Sequence, residues 1–185
     1  MATAKKAPAK KTSNKTASTS ATPDAIKLLT ADHREVKTLF QQYQGLVDHE
    51  AEDDEKQALA QQICQMLTVH AQIEEELFYP AAQESIKEAE LVDEANVEHA
   101  SAKDLIAQLE SSDPSDKLFD AKVKVLGEYI DHHVKEEEGE MFPQARRAKM
   151  DLQALGEQLA QRKQALMEEM GIGEEDTAEA ENSAS

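Results

Sequence analysis

The sequence predicts an all-α protein, an up-down-up-down four-helix bundle with an additional C-terminal helix. Three observations carry this. Apolar residues recur at spacings of three and four along five long segments, which marks one face of a helix. Gly and Pro are scarce, at six and five in 185 residues, and there is no Trp. Ala, Glu, Gln, Lys and Leu are common, a mixture that favours helix over strand. The linkers between segments are short, which makes successive helices antiparallel neighbours.

Thr22-Pro23-Asp24 reads as a helix start, with a capping hydroxyl and Pro at the first position. The first helix is expected from about residue 23 to Gly45, with its seam at Ile26, Leu29, His33, Val36, Phe40 and Tyr43. The second is expected from about 53 to 79, stopped by Pro80, with Leu59, Ile63, Met66, His70, Ile73 and Leu77 inward. The third spans about 87–111 on Val92, Ala95, His99, Ala102, Ile106 and Leu109. Asp113-Pro114 opens the fourth, which runs to about 142, where Pro143 ends or kinks it. Its seam is Phe119, Val123, Leu126, Ile130, His133 and Glu137. His133 falls on the apolar phase; His132 is one step off and goes to the flank. A fifth helix, 151–171 with its closing Gly171, has an apolar stripe that either covers the bundle or pairs with a second copy in a homo-oligomer.

The bundle is expected to occupy 23–147. Residues 1–22 hold five Lys and no acid, too little apolar surface to fold, and read as a disordered tail. Residues 172–185 read as a disordered acidic tail. The formal charge is −18, and residues 23–185 carry 15 Lys and Arg with all 38 Asp and Glu, a net of −23. Such a body repels phosphate backbones, so nucleic acid is expected to bind only weakly, through the Lys-rich tail. No apolar run is long enough to span a membrane, and no secretory h-region is present. Cys64 is the only cysteine, which rules out an intrachain disulfide or a zinc ribbon. These features together point to the cytoplasm.

The seams hold the chemistry. Each of the first four helices carries one His where a core would take Leu. Two segments repeat: HAQIEEELFYP at 70–80 and HVKEEEGEMFP at 133–143, each with Glu four and five residues after His and Pro at the tenth. A single seam His is usually a satisfied core residue. Four of them, two with Glu one turn away, are different. Buried carboxylates without a cation cost several kcal/mol apiece, and four imidazoliums would repel one another. A pair of divalent metals resolves this, because neutral imidazole and ionised carboxylate are its natural ligands. The expected ligands are His33, His70, Glu74, His99, His133 and Glu137, with both Glu bridging. Mixed nitrogen and oxygen donors without thiolate suit two non-haem irons, with manganese or zinc as substitutes. No His has Glu three residues before it, as ferritin-like bundles require, and no His-Glu-x-x-His protease motif occurs. Glu75, Glu138 and Asp131 are candidates to orient the imidazoles, though a solvated helix face is the reading favoured for them. Tyr43, Tyr79 and Tyr129 could line the pocket, but core or rim packing is the reading favoured for them, and His49 reads as surface.

LTADHREV at 29–36, VEHASAKDL at 97–105 and the two repeated segments together resemble the hemerythrin-like, or HHE cation-binding, domains. The resemblance covers about 24–147. It implies a non-haem di-iron centre with bridging carboxylates and open positions for a small ligand. Oxygen-carrying hemerythrins have a further His one turn after the third-helix His; here that place is Lys103. The four-His, two-Glu set is similar to that of iron-centre repair proteins, although their separate amino-terminal domain has no counterpart here. The function ranked first is binding or sensing of oxygen or a related ligand such as nitric oxide or peroxide. An oxidoreductase or iron donor in nitrosative or oxidative stress ranks second, and a metal-free helical interaction module third.

Overall fold

The computed structural model describes residues 22–172, all helix and connecting turns. The terminal tails expected at 1–22 and 172–185 lie almost wholly outside the described residues. α1 spans Ala25–Asp48, α2 Asp53–Ile73, α3 Tyr79–Ser85, α4 Glu90–Glu110, α5 Phe119–Glu136, α6 Phe142–Arg147 and α7 Leu152–Glu169. Two π-helical turns, π1 (Glu74–Phe78) and π2 (Glu137–Met141), join α2 to α3 and α5 to α6. α1 packs on α2, α2 on α4, α4 on α5, and α5 back on α1, which closes the bundle. α7 lies outside it across α1 and α2, so its stripe covers that face.

Several boundaries differ from expectation for local reasons. Asp24, not Thr22, caps α1: its Oδ1 accepts from the Lys27 amide at 3.0 Å, and Pro23 stays outside the helix. Gly45 does not stop α1, which continues to Asp48; Glu50 takes the left-handed turn position at φ 52°. Asp113 does not start α5. Its Oδ1 accepts from the Ser115 amide and hydroxyl at 2.9 and 2.6 Å, a local turn that competes with helix until Phe119 reaches the core.

The largest correction concerns Pro80 and Pro143. Neither ends its helix; the chain runs on helically to Ser85 and Arg147. In each case a π turn precedes the Pro, which then sits in the first turn of a new α segment, where a missing N–H costs nothing. A π turn takes one more residue than an α turn, so the buried phase slips by one. The inward residue after Glu74 is therefore Phe78, fully buried, and not Leu77.

The apolar core has two halves. One gathers Leu29, Ile73, Phe78, Phe142 and Leu159 from the bundle and α7. The other gathers Val36, Ile63, Leu67, Ile106 and Leu126. The buried polar residues Asp32, His33, His70, Glu74, His99, His133 and Glu137 form a layer between the halves.

Candidate metal centre

The six expected ligands come together in that layer, each 8% exposed or less. α1 supplies His33, α2 His70, α4 His99 and α5 His133. Glu74 and Glu137 are the first residues of π1 and π2. His132, one step round α5, is largely exposed. His49 lies in the α1–α2 connection, with Nδ1 on Gly45 O at 2.7 Å, away from the site.

All four Nε2 atoms point to the centre in two pairs. His33 Nε2 and His70 Nε2 are 3.1 Å apart, and so are those of His99 and His133. Glu74 Oε2 is 3.2 Å from His70 Nε2 and 3.5 Å from His99 Nε2, so it faces both pairs. Glu137 Oε2 is 3.2 Å from His33 Nε2 and 3.5 Å from His133 Nε2, and does the same. Ligand atoms of His33, His70, Glu74 and Glu137 all lie within 4.8 Å of one another, as do those of Glu74, His99 and His133. Glu74 thus belongs to two adjoining clusters, each dense enough to hold a cation.

Every imidazole is aimed by a carboxylate at its other nitrogen. Nδ1 of His33 donates to Glu138 Oε1 at 2.9 Å, and Nδ1 of His99 to Glu75 Oε1 at 2.9 Å. Nδ1 of His133 donates to Glu98 Oε2 at 2.7 Å, and Nδ1 of His70 faces Asp32 Oδ2 at 3.4 Å. Carboxylate acceptors fix the proton on Nδ1 and turn the Nε2 lone pair inward, the arrangement metal-binding histidines use. Glu75 and Glu138 thus orient imidazoles, the role the sequence reading ranked second, with Glu75 partly buried and Glu138 still 40% exposed. Asp131 does not reach a His; it pairs with Lys135 at 2.5 Å. Asp32 and Glu98 were missed. Each directly precedes the single His of its helix, one step off the seam, and acts on the His of the neighbouring helix, which local spacing does not reveal. Lys103, at the place of the further His, gives its ammonium to both oxygens of Glu75 at 2.6 Å and so steadies the carboxylate on His99.

Tyr79 is both a core residue, as favoured, and a residue that lines the site, the alternative the sequence offered. It is 2% exposed, and its hydroxyl lies among His99 Nε2 (3.1 Å), His133 Nε2 (3.4 Å) and Glu137 Oε1 (3.0 Å), to which it donates. Burial, with Glu137 and Glu74 nearby, pushes its phenol well above the usual tyrosine range. The matching residue of the other repeat is Phe142, whose ring stacks on His33 at 5.8 Å. The two halves of the site thus differ: one carries a hydroxyl and the other an apolar ring. The other tyrosines stay away from the centre. Tyr43 donates to Asp120 at 2.8 Å, and Tyr129 is half exposed.

The donor set fits a metal pair. Among the described residues, three buried carboxylate oxygens, Glu74 Oε1, Glu74 Oε2 and Glu137 Oε2, have no hydrogen-bond donor while the imidazoles that face them are neutral. Orphaned carboxylate oxygens at this depth are costly, and a cation is the partner that removes the cost. A cavity of about 20 Å³ adjoins the four histidines, walled by Val36, Leu67, Ala102, Ile106, Ile130 and Val134.

Comparison with known proteins agrees with this geometry. The hemerythrin HHE cation-binding domain model matches residues 24–145. A solved hemerythrin HHE cation-binding domain-containing protein from Mycobacterium kansasii is 26% identical, with a TM-score of 0.65 over 78% of this chain and 87% of that one. A protein of Nostoc sp. described as a DNA nickase is 32% identical over 120 residues. That match takes in 64% of this chain but spans only about a third (32%) of the nickase's length. With both the four-His, two-Glu layer and the family model falling on the same helices, this chain belongs to the hemerythrin HHE cation-binding domain family.

Proposed function

We propose that this metal-binding helical domain is a non-haem di-iron protein that binds or senses oxygen or a related small ligand such as nitric oxide or peroxide. The observation that carries the reading is the small apolar cavity against the histidines. At about 20 Å³ it has room for a ligand of a few atoms. His33 and His70 would hold one iron, His99 and His133 the other, with Glu74 and Glu137 between them. Iron suits a donor set of imidazole and carboxylate, and when bound it supplies redox change and open coordination positions. The chain's own residues do the rest. The Nδ1 carboxylates keep each ring in one tautomer, and the apolar walls limit the water around the inward nitrogens. Tyr79 holds a proton beside the His99 and His133 pair.

A second reading, an oxidoreductase or iron donor in nitrosative or oxidative stress, is favoured by Lys103. Its ammonium serves Glu75, leaving the His99 side one nitrogen donor short of the oxygen carriers. DNA nicking is not carried over from the Nostoc protein, because a chain at −18 opposes a phosphate backbone. The third reading, a metal-free module, leaves the orphaned oxygens of Glu74 and Glu137 unexplained.

The test is one oxygen cycle followed by optical spectroscopy. The chain is loaded with ferrous iron without air, iron per chain is counted, and oxygen is added and then removed. Two irons and an absorption band that comes and goes are expected. A band that forms once and stays selects the redox reading. No iron uptake overturns both.

A further inference from the structure

Two adjacent cations of α7 reach the site from outside the bundle. Lys163 Nζ lies 2.6 Å from Asp32 Oδ1, and the other oxygen of Asp32 faces His70 Nδ1. Asp32 is 5% exposed, so its charge is shared by these two partners. Arg162 takes Glu76 through two bonds, Nε to Oε2 at 2.7 Å and a terminal nitrogen to Oε1 at 3.1 Å. Glu76 belongs to π1, two residues after Glu74. One turn of α7 therefore grips both the carboxylate that aims His70 and the turn that presents Glu74.

The other half of the pseudo-repeat has no such grip. Glu98 stands in the place of Asp32, and among the described residues its second oxygen meets only the exposed His132, at 3.4 Å. Gly139 stands in the place of Glu76 and has no side chain to hold. The Lys103–Glu75 pair does steady His99, but Lys103 is 47% exposed against 24% for Lys163, so water and salt screen it more.

The geometry points to α7 as a clamp on one metal position: Arg162 and Lys163 are positioning residues for the ion at His33 and His70, and the ion at His99 and His133 exchanges first. This rests on the di-iron reading above. Through the clamp, anything that lifts α7 from α1 loosens one specific ion.

The test is anaerobic release of iron from the fully loaded chain into excess ferrous chelator. The native chain is expected to lose one iron quickly and one slowly. Lys163→Met should speed the slow phase by about tenfold or more, the usual effect of losing an outer partner of a ligand, and leave the fast phase alone. Lys163→Arg should restore it, with circular dichroism reporting the fold of each variant. A single phase for both ions, or an unmoved slow phase in Lys163→Met, overturns the clamp. A second readout needs no metal. In the metal-free chain, Lys163→Met should move the ring-nitrogen resonance of His70 and leave that of His133 in place. If the chain takes up no iron but His70 moves, the di-iron reading falls while the tie from α7 to His70 stands. If His70 does not move, the tie falls too.

Discussion

At His70, burial and charge pull in opposite directions. Burial disfavours the imidazolium, yet Glu74 and Asp32 raise the ring's pKa to about 10. Glu137 is the reverse case: burial opposes its charge, and His133, His33 and His70 hold it down at about 2. His99 differs, since burial outweighs its carboxylates and lowers it. The metal-free chain at pH 7 therefore favours a second proton on His70, at the Nε2 that faces Glu74, and a metal must displace it. The sign follows: protons are released on loading, and apparent affinity rises with pH from 7 towards 10. Loading with ferrous iron in weakly buffered indicator solution measures this, and proton-neutral uptake at pH 7 would contradict the charged state of His70 in the metal-free chain. The neighbouring acids separate by position. Glu74→Ala should abolish binding of at least one ion, because Glu74 faces both His pairs. Glu75→Ala removes only the carboxylate behind His99, so affinity should fall about 10–100-fold with binding retained. Equilibrium dialysis at low and high iron distinguishes the two, and equal loss in both variants would refute the assignment.

Among the elements, α7 depends on a close backbone approach. A Cβ on Gly156 would lie 2.4 Å from Pro23 O and 2.7 Å from the Ala25 amide, both backbone atoms at the start of α1. Gly156→Ala must push α7 away and should cost about 1–3 kcal/mol, read as a lower denaturant midpoint. A wild-type midpoint would mean that α7 has room to move. Seam periodicity located five helical regions, and the pairing of His with Glu at i+4 located the polar layer, because both depend on local spacing. The π turns were not legible from that spacing. Their signal was a slip of the apolar phase onto Phe78 and Ala82, and onto Met141, Phe142 and Ala145, which a search for a constant 3.6 period passes over. Tyr79 could not be fixed at the site for the same reason, since only the extra residue of π1 turns it inward. Asp32 and Glu98 lie beside the seam on the sequence, and their role depends on the neighbouring helix.

For the whole molecule, the polar layer costs stability that the two apolar halves must offset. Glu74 and Glu137 are 0% and 1% exposed, and without metal their inward oxygens find a donor only where an imidazole takes a second proton, so the metal-free fold holds charge between its apolar halves. That layer touches α1, α2, α4 and α5 together, and through Lys163 also α7. A ligand that binds there links all the long helices, so its binding energy appears as global stability and not as local order. At a hundredfold excess over Kd the gain is about 2.7 kcal/mol. For a chain of this size that is a rise in Tm of about 5–10 °C. Calorimetry with and without a chelator measures it. A single shifted transition is expected, with α7 melting together with the bundle. Two transitions, only one of them responding to metal, would show that α7 folds apart from the centre and would remove the physical basis for the clamp. No shift at all would mean that the orphaned carboxylates find their partners without a cation.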